Sequence, residues 1–298
     1  MFTQLELISE HRCFGGWQRY YQHQSSEIGL PMRFAVYLPP QAQATSAKDD
    51  TAHPMGTQTC PVLIYLAGLT CTEDTFTTKA GAQQYAAEHG LILIAPDTSP
   101  RGAGAPHEDD SWDFGTGAGF YLDAATPDYA KHYRMESYIT KEIVALASQV
   151  LPGDAQRIGI FGHSMGGHGA LVLALRHPGV FKSLSAFAPI AAPTQAPWGE
   201  KAFTGYLGTD RAAWKAYDAT CLMNVQSTAP YPAGILIDQG LADQFLEREL
   251  YPQLFAAACA KILQPLELRE HEGYDHGYFF ISSFIKDHIA HHAQQLKA

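Results

Sequence analysis

Gly162-His163-Ser164-Met165-Gly166 sets a serine between two glycines at a spacing that chemistry can use. A serine hydroxyl is a weak nucleophile at its free pKa, and it gains power where a turn exposes it beside a base. The flanking residues have the form such a turn requires. Arg157-Ile158-Gly159-Ile160-Phe161 reads as a strand, and Ala170-Leu171-Val172-Leu173-Ala174-Leu175-Arg176 reads as a helix. The chain must reverse sharply between them, so side chains at Gly162 and Gly166 would clash. The helix start also points N–H groups toward negative charge developing near Ser164. The chemistry this pattern predicts is acyl transfer through a serine.

That chemistry needs a base and an acid, following the serine in the order acid, then histidine. Of the 14 histidines, His168, His177, His271, His276, His288, His291 and His292 come after the motif. His168 is too close in sequence to fold back. His288, His291 and His292 lie on a polar-looking terminal helix and are expected to face solvent. His276 lies in Glu272-Gly273-Tyr274-Asp275-His276-Gly277, a turn between the last strand and the last helix, where a base would overhang the strand ends. His271 is its local rival. Gly234-Ile235-Leu236-Ile237-Asp238 runs into Gln239-Gly240-Leu241-Ala242-Asp243. Asp243, in the loop beyond the strand, is the expected acid that fixes the imidazole tautomer. Asp238, at the strand end, is the alternative. The oxyanion donors are expected to be the N–H of Met165 and that of Leu69, in the turn Leu66-Ala67-Gly68-Leu69-Thr70-Cys71.

Other suggestive stretches carry less. Gly115-Thr116-Gly117-Ala118-Gly119 follows no strand and opens no clear helix, so it does not read as a nucleotide loop. Asp109-Asp110-Ser111-Trp112-Asp113 does not read as a metal site, and no catalytic metal is expected.

The elements that must position these residues alternate along the chain. Strands are expected at 34–38, 62–66, 91–95, 158–161, 184–187, 235–238 and 266–269. Helices are expected at 79–88, 135–150, 164–176, 244–262 and 278–294. Such alternation predicts an α/β fold, a mostly parallel sheet with helices on both faces. The 298 residues are expected to form a single domain, and the polar stretch 41–59 a mobile surface loop. With 46 % apolar residues the chain is not disordered, and no apolar run approaches the roughly 20 residues that span a bilayer. Thirty acidic against 20 basic residues give a net charge of −10, which argues against a nucleic-acid partner. The N-terminus lacks the pattern of a secretory signal, and five cysteines without metal spacing read as reduced thiols in a cytoplasmic protein.

Longer stretches carry a family resemblance. Leu69-Thr70-Cys71-Thr72, Asp110 through Tyr121 around Trp112, and the residues from Gly162 to Leu171 resemble the S-formylglutathione hydrolases, the esterase D family. So do Pro197-Trp198-Gly199, Gly205-Tyr206-Leu207-Gly208-Thr209-Asp210, Asp238-Gln239-Gly240 with Asp243, and Tyr274-Asp275-His276. The resemblance implies an α/β-hydrolase fold and cleavage of S-formylglutathione to glutathione and formate in formaldehyde detoxification, with no cofactor. It implies Ser164, Asp243 and His276 as the triad, and Leu69 and Met165 as the oxyanion donors. Cys71, Trp112 and Trp198 are expected to line the substrate pocket. The family commonly has Cys-Asn-Pro where Ala191-Ala192-Pro193 stands, and Ser where Gly277 stands. A small-molecule substrate is the expected partner, with a homodimer left open. The alternatives are a general short-chain carboxylesterase or O-acetylesterase, and a non-catalytic scaffold of the same fold.

Overall fold

The computed structural model describes residues 5–42 and 59–297. Most of the loop expected at 41–59 therefore lies outside the described residues. The described chain builds one nine-stranded sheet in the order β1-β2-β3-β5-β4-β6-β7-β8-β9. The strands are β1 (Glu6–Cys13), β2 (Gly16–Gln24), β3 (Pro31–Leu38), β4 (Cys60–Leu66), β5 (Ile92–Pro96), β6 (Gly153–His163), β7 (Ser183–Phe187), β8 (Ile235–Gly240) and β9 (Leu266–His271). From β5 through β4 to β9 every pairing is parallel. β1, β2 and β3 form an antiparallel extension that joins the sheet at β5.

All seven expected strands are present, and the parallel ones explain why they were readable. Every residue of β5, β7 and β8 is buried, so helices cover both faces; β5 is apolar throughout, whereas β7 buries Ser183 and Ser185 and β8 ends in Asp238, Gln239 and Gly240. The β1–β2 hairpin was not expected. β1 is largely exposed, and β2 buries Gln18 and His23 together with Tyr21, so neither strand shows the apolar alternation that marks a half-buried strand.

The helices are α1 (Glu73–Lys79), α2 (Ala82–His89), α3 (Met135–Ser137), α4 (Val144–Gln149), α5 (Met165–Arg176), α6 (Pro197–Leu207), α7 (Arg211–Trp214), α8 (Ala219–Asn224), α9 (Pro252–Lys261) and α10 (Tyr278–Gln295). A wide-turn segment, Tyr138–Ile143, joins α3 to α4, so the helix expected at 135–150 is continuous but not regular. The one expected at 79–88 is α2, which starts only at Ala82 after Gly81 with φ 69°; α1, ending at Lys79, was not expected. The one expected at 244–262 breaks at Tyr251, with φ 52°, before Pro252 restarts it. α2 packs on α10, while α5 packs on α8 and α8 on α9.

The topology fixes where a site can form. After β4 the chain crosses to β5 on one side, and it later returns to β6 on the other. The carboxyl ends of β4 and β6 therefore diverge into a crevice, the position where open α/β sheets bind ligands. The turn after β4 carries Leu69, and the turn after β6 carries Ser164.

Candidate active site

Ser164 joins β6 to α5 with φ 57° and ψ −119°, a conformation that residues with side chains avoid. Three backbone hydrogen bonds impose it. Its N–H donates to the Phe187 carbonyl at 3.0 Å, and its carbonyl accepts from His168 at 2.9 Å and Ile190 at 3.3 Å. The two glycines are sterically required. A Cβ on Gly162 would meet the Gly166 carbonyl oxygen at 2.2 Å, and a Cβ on Gly166 would meet that of Leu66 at 1.9 Å. The Ser164 hydroxyl makes no hydrogen bond to another described residue, yet it is not sealed from solvent.

The turn after β4 packs directly against this elbow. A Cβ on Gly68 would come within 3.2 Å of both Ser164 Cβ and His163 Nδ1. Thr70, with φ 68°, donates its N–H to the Gly117 carbonyl at 2.9 Å. Gly117 in turn donates to Ser99 Oγ at 2.8 Å, and Gly119 to the Thr98 carbonyl at 3.2 Å. The glycine-rich stretch at 115–119 thus buttresses the Leu69 turn. Among the described residues, neither the Leu69 N–H nor the Met165 N–H has a protein acceptor. Both are free donors next to Ser164.

His276 lies in the turn before α10, and its Nδ1 is 2.5 Å from Asp243 Oδ2. Asp243 is itself held. Phe245 N–H donates to its Oδ1 at 2.8 Å, and Gln239 Nε2 donates to its Oδ2 at 3.2 Å. The carboxylate is fully buried, whereas the His276 side chain keeps some exposure. The His276 ring lies 4.5 Å from that of His163, which immediately precedes Ser164. Burial first, and the adjacent His276 second, push the His163 imidazole well below its ordinary pKa, so it is neutral.

Asp238 serves different partners. Arg269 binds it bidentately at 2.6 Å and 2.6 Å, and His288 Nε2 lies 3.2 Å away. Its carboxyl is held below the ordinary range; burial opposes this, and the hydrogen bonds from Arg269 and His288 prevail. His271 stacks on Phe284 at 3.8 Å and approaches Asp238, not Asp243. His168 is buried with Nε2 on the Phe120 carbonyl.

The expectation for the terminal histidines needs correction. His288 and His292 are fully buried, not solvated. His292 bridges Ser183 Oγ at 2.6 Å and Ser185 Oγ at 2.8 Å, and His288 Nδ1 meets Ser185 Oγ at 2.8 Å. The inward face of α10 is therefore polar where β7 offers hydroxyls.

Trp112 and Trp198 come together edge to face at 5.7 Å. Phe245, which the sequence reading missed, continues the wall, 4.7 Å from Trp198 and 5.0 Å from His276. Cys71 lies in the turn after β4, where its N–H donates to the Gly68 carbonyl at 3.3 Å. Burial raises its thiol pKa, although the Tyr278 and Thr75 hydroxyls lie beside it. Ala191 and Ala192 are fully buried, and Ala191 bonds through its backbone to Leu250 and Thr220. Gly277 caps α10 without a side chain.

Comparison with known proteins places the whole chain in a family. A family model described as putative esterase matches residues 25–291. The chain is 54 % identical to an S-formylglutathione hydrolase of Rattus norvegicus, over 99 % of this chain and 100 % of that one. It is 50 % identical to an S-formylglutathione hydrolase of Paracoccus denitrificans (strain Pd 1222), over 98 % of each. The solved structure of an S-formylglutathione hydrolase from Agrobacterium tumefaciens matches with a TM-score of 0.90 and 47 % identity, over 97 % of this chain and 99 % of that one. The chain belongs to this esterase family and is a hydrolase.

Proposed function

We propose that this hydrolase cleaves the thioester of S-formylglutathione to glutathione and formate, a step of formaldehyde detoxification. His276 takes the Ser164 proton while Oγ attacks the formyl carbon. Asp243 holds the imidazole tautomer and steadies the imidazolium that forms. The Leu69 and Met165 N–H groups receive the oxyanion. The tetrahedral intermediate collapses, the C–S bond breaks, and His276 returns the proton to the leaving sulfur. A water deprotonated by His276 then attacks the formyl-serine. Formate leaves, and Ser164 recovers its proton. Apo hydrogen bonds at such sites tighten when substrate binds, so the open Ser164 hydroxyl suits this sequence of steps. A reducing, cytoplasmic setting accords with the five free cysteines.

One observation carries the reading. A strained serine stands beside a histidine–aspartate pair and two free amides, in a chain 54 % identical over nearly its whole length to a named S-formylglutathione hydrolase. The reading takes the wall of Trp112, Trp198 and Phe245 to bound the acyl side, where overpacking by a longer acyl group would cost about 1 to 3 kcal/mol. The test is kcat/KM across formyl, acetyl and butyryl thioesters of glutathione, each divided by its uncatalysed alkaline hydrolysis rate. The corrected values are expected to fall from formyl to butyryl. A flat or rising series would instead support a general short-chain carboxylesterase. Absence of any p-nitrophenol release from p-nitrophenyl acetate would support the non-catalytic scaffold.

A further inference from the structure

An acidic protein that handles an anionic substrate needs positive charge placed locally. The chain carries −10, whereas the glutathione arm has two carboxylates and one ammonium. Several cations are already neutralised by carboxylates. Arg101 is bound bidentately by Asp97 at 2.6 Å and 2.8 Å, Lys201 is paired with Asp113, and Arg269 with Asp238. Lys79, at the end of α1, differs. Its ammonium lies 5.7 Å from the centroid of the Tyr278 ring, and among the described residues no carboxylate is within ion-pair distance of it. The Tyr278 ring is 6.1 Å from that of His163, the neighbour of Ser164. Burial raises the Cys71 thiol pKa, and the Lys79 charge opposes that only in part, from beside the turn that carries Leu69. Among the described residues, an exposed cation without an ion-pair partner thus stands over the Tyr278 ring, which neighbours the residue preceding Ser164.

In glutathione either carboxylate is about two extended residues from the sulfur, and an extended residue spans about 3.5 Å. Resting on the functional reading above, we infer that Lys79 receives a carboxylate of the glutathione arm while Ser164 acts on the thioester. Lys79 thereby selects anionic thiol carriers over neutral ones. A lysine in the last turn also suits the α1 dipole, so the test must separate recognition from helix stability.

Lys79→Met keeps the aliphatic stem and removes the charge, and Lys79→Arg keeps the charge. Both are compared on S-formylglutathione and on the formyl thioester of N-acetylcysteamine, which has the same reacting bond and no carboxylate. For S-formylglutathione, Lys79→Met is expected to raise KM about three- to tenfold with kcat little changed, the scale of one partly exposed charged contact. Lys79→Arg is expected to restore most of the loss. The neutral thioester is expected to distinguish none of the three proteins. Added salt, at about 0.5 M, is expected to raise the wild-type KM and narrow the gap. An unchanged KM overturns the inference, and so do equal losses on both thioesters, which would mean a structural role. A wild-type protein that cleaves the neutral thioester but not S-formylglutathione overturns the functional reading itself, and the inference with it.

Discussion

Ser164 occupies a conformation that costs a non-glycine residue about 1 to 3 kcal/mol. The hydrogen bonds that impose it are all backbone bonds, so they survive loss of the hydroxyl. Ser164→Ala is therefore expected to keep its circular dichroism spectrum and lose about 10⁴-fold or more in kcat. A folded variant with a tenth of the activity would remove Ser164 from the role. The two aspartates after β7 are expected to separate cleanly. Asp243→Asn leaves His276 with the wrong tautomer, and kcat should fall about 10⁴-fold with modest loss of stability. Asp238→Asn leaves Arg269 without its bidentate partner. Discounted for the part-exposed guanidinium, the expected loss is about 2 to 3 kcal/mol in denaturant unfolding, with kcat within a few fold. The reverse pattern would give the acid role to Asp238. The residues of the site were legible because each sits at a rule-bound place: a serine between glycines, a histidine after the last strand, an aspartate beyond a strand end. Phe245 and Gln239 follow no such rule. Their contacts depend on how the loop after β8 folds back, which no local spacing encodes. His292 was misread because the serines that satisfy it lie 107 and 109 residues away.

The parallel strands and α5 could be read from the chain because burial on both sides leaves an apolar run that nothing else explains. The hairpin of β1 and β2 could not, because its buried face is partly polar. The Gln18 amide donates to the Val36 carbonyl at 3.2 Å, and His23 meets the Tyr138 hydroxyl at 3.1 Å. Tertiary partners convert polar side chains into core, and a periodicity scan counts them as surface. The helix breaks were missed for a different reason. Tyr251 takes a left-handed conformation that only the Pro252 after it hints at. The elbow is the element whose sequence and geometry agree most closely, and a matched pair of substitutions tests it. At Gly166 an added Cβ would overlap the Leu66 carbonyl, which belongs to a central strand and cannot withdraw. Gly166→Ala is expected to lose about 3 kcal/mol or more and most activity. At Gly179, with φ 87°, a Cβ would meet nothing within 4 Å. Gly179→Ala should lose only the left-handed backbone term, about 1 to 2 kcal/mol, and keep kcat. Equal stability of the two variants in denaturant would mean that the elbow relaxes, contrary to its packing.

Over the whole molecule, the number of histidines buried neutral makes stability depend on pH. Burial lowers the pKa of His163, His168, His288, His291 and His292, bringing His168 and His291 to about 4. In the unfolded chain each would titrate near 6.5. Below that pH the unfolded state binds protons that the native state refuses, so stability rises with pH and falls on acidification. Each such group removes up to about 1.4 kcal/mol per pH unit between its unfolded and folded pKa. Glu73 and Glu249 work in the opposite sense, since burial raises their pKa values, but only as the pH approaches the carboxylate range. Asp238, with its depressed carboxyl, keeps its full contribution until the pH falls below about 4. The window from about 6.5 down to about 5 is therefore governed by the histidines. With a typical domain stability of about 5 to 15 kcal/mol, several such groups are enough to bring the protein to unfolding there. The expected result is a Tm that is nearly level above pH 7 and drops steeply from pH 6.5 to 5. Denaturant unfolding at intermediate pH should report an uptake of at least about two protons from the slope of stability against pH. The relay in which Ser183 and Ser185 flank His292 makes this acid sensitivity a property of how α10 closes on the sheet. A Tm that stays level through that window would mean that these imidazoles are charged inside the fold, and that α10 packs on β7 through ion pairs not present in this arrangement.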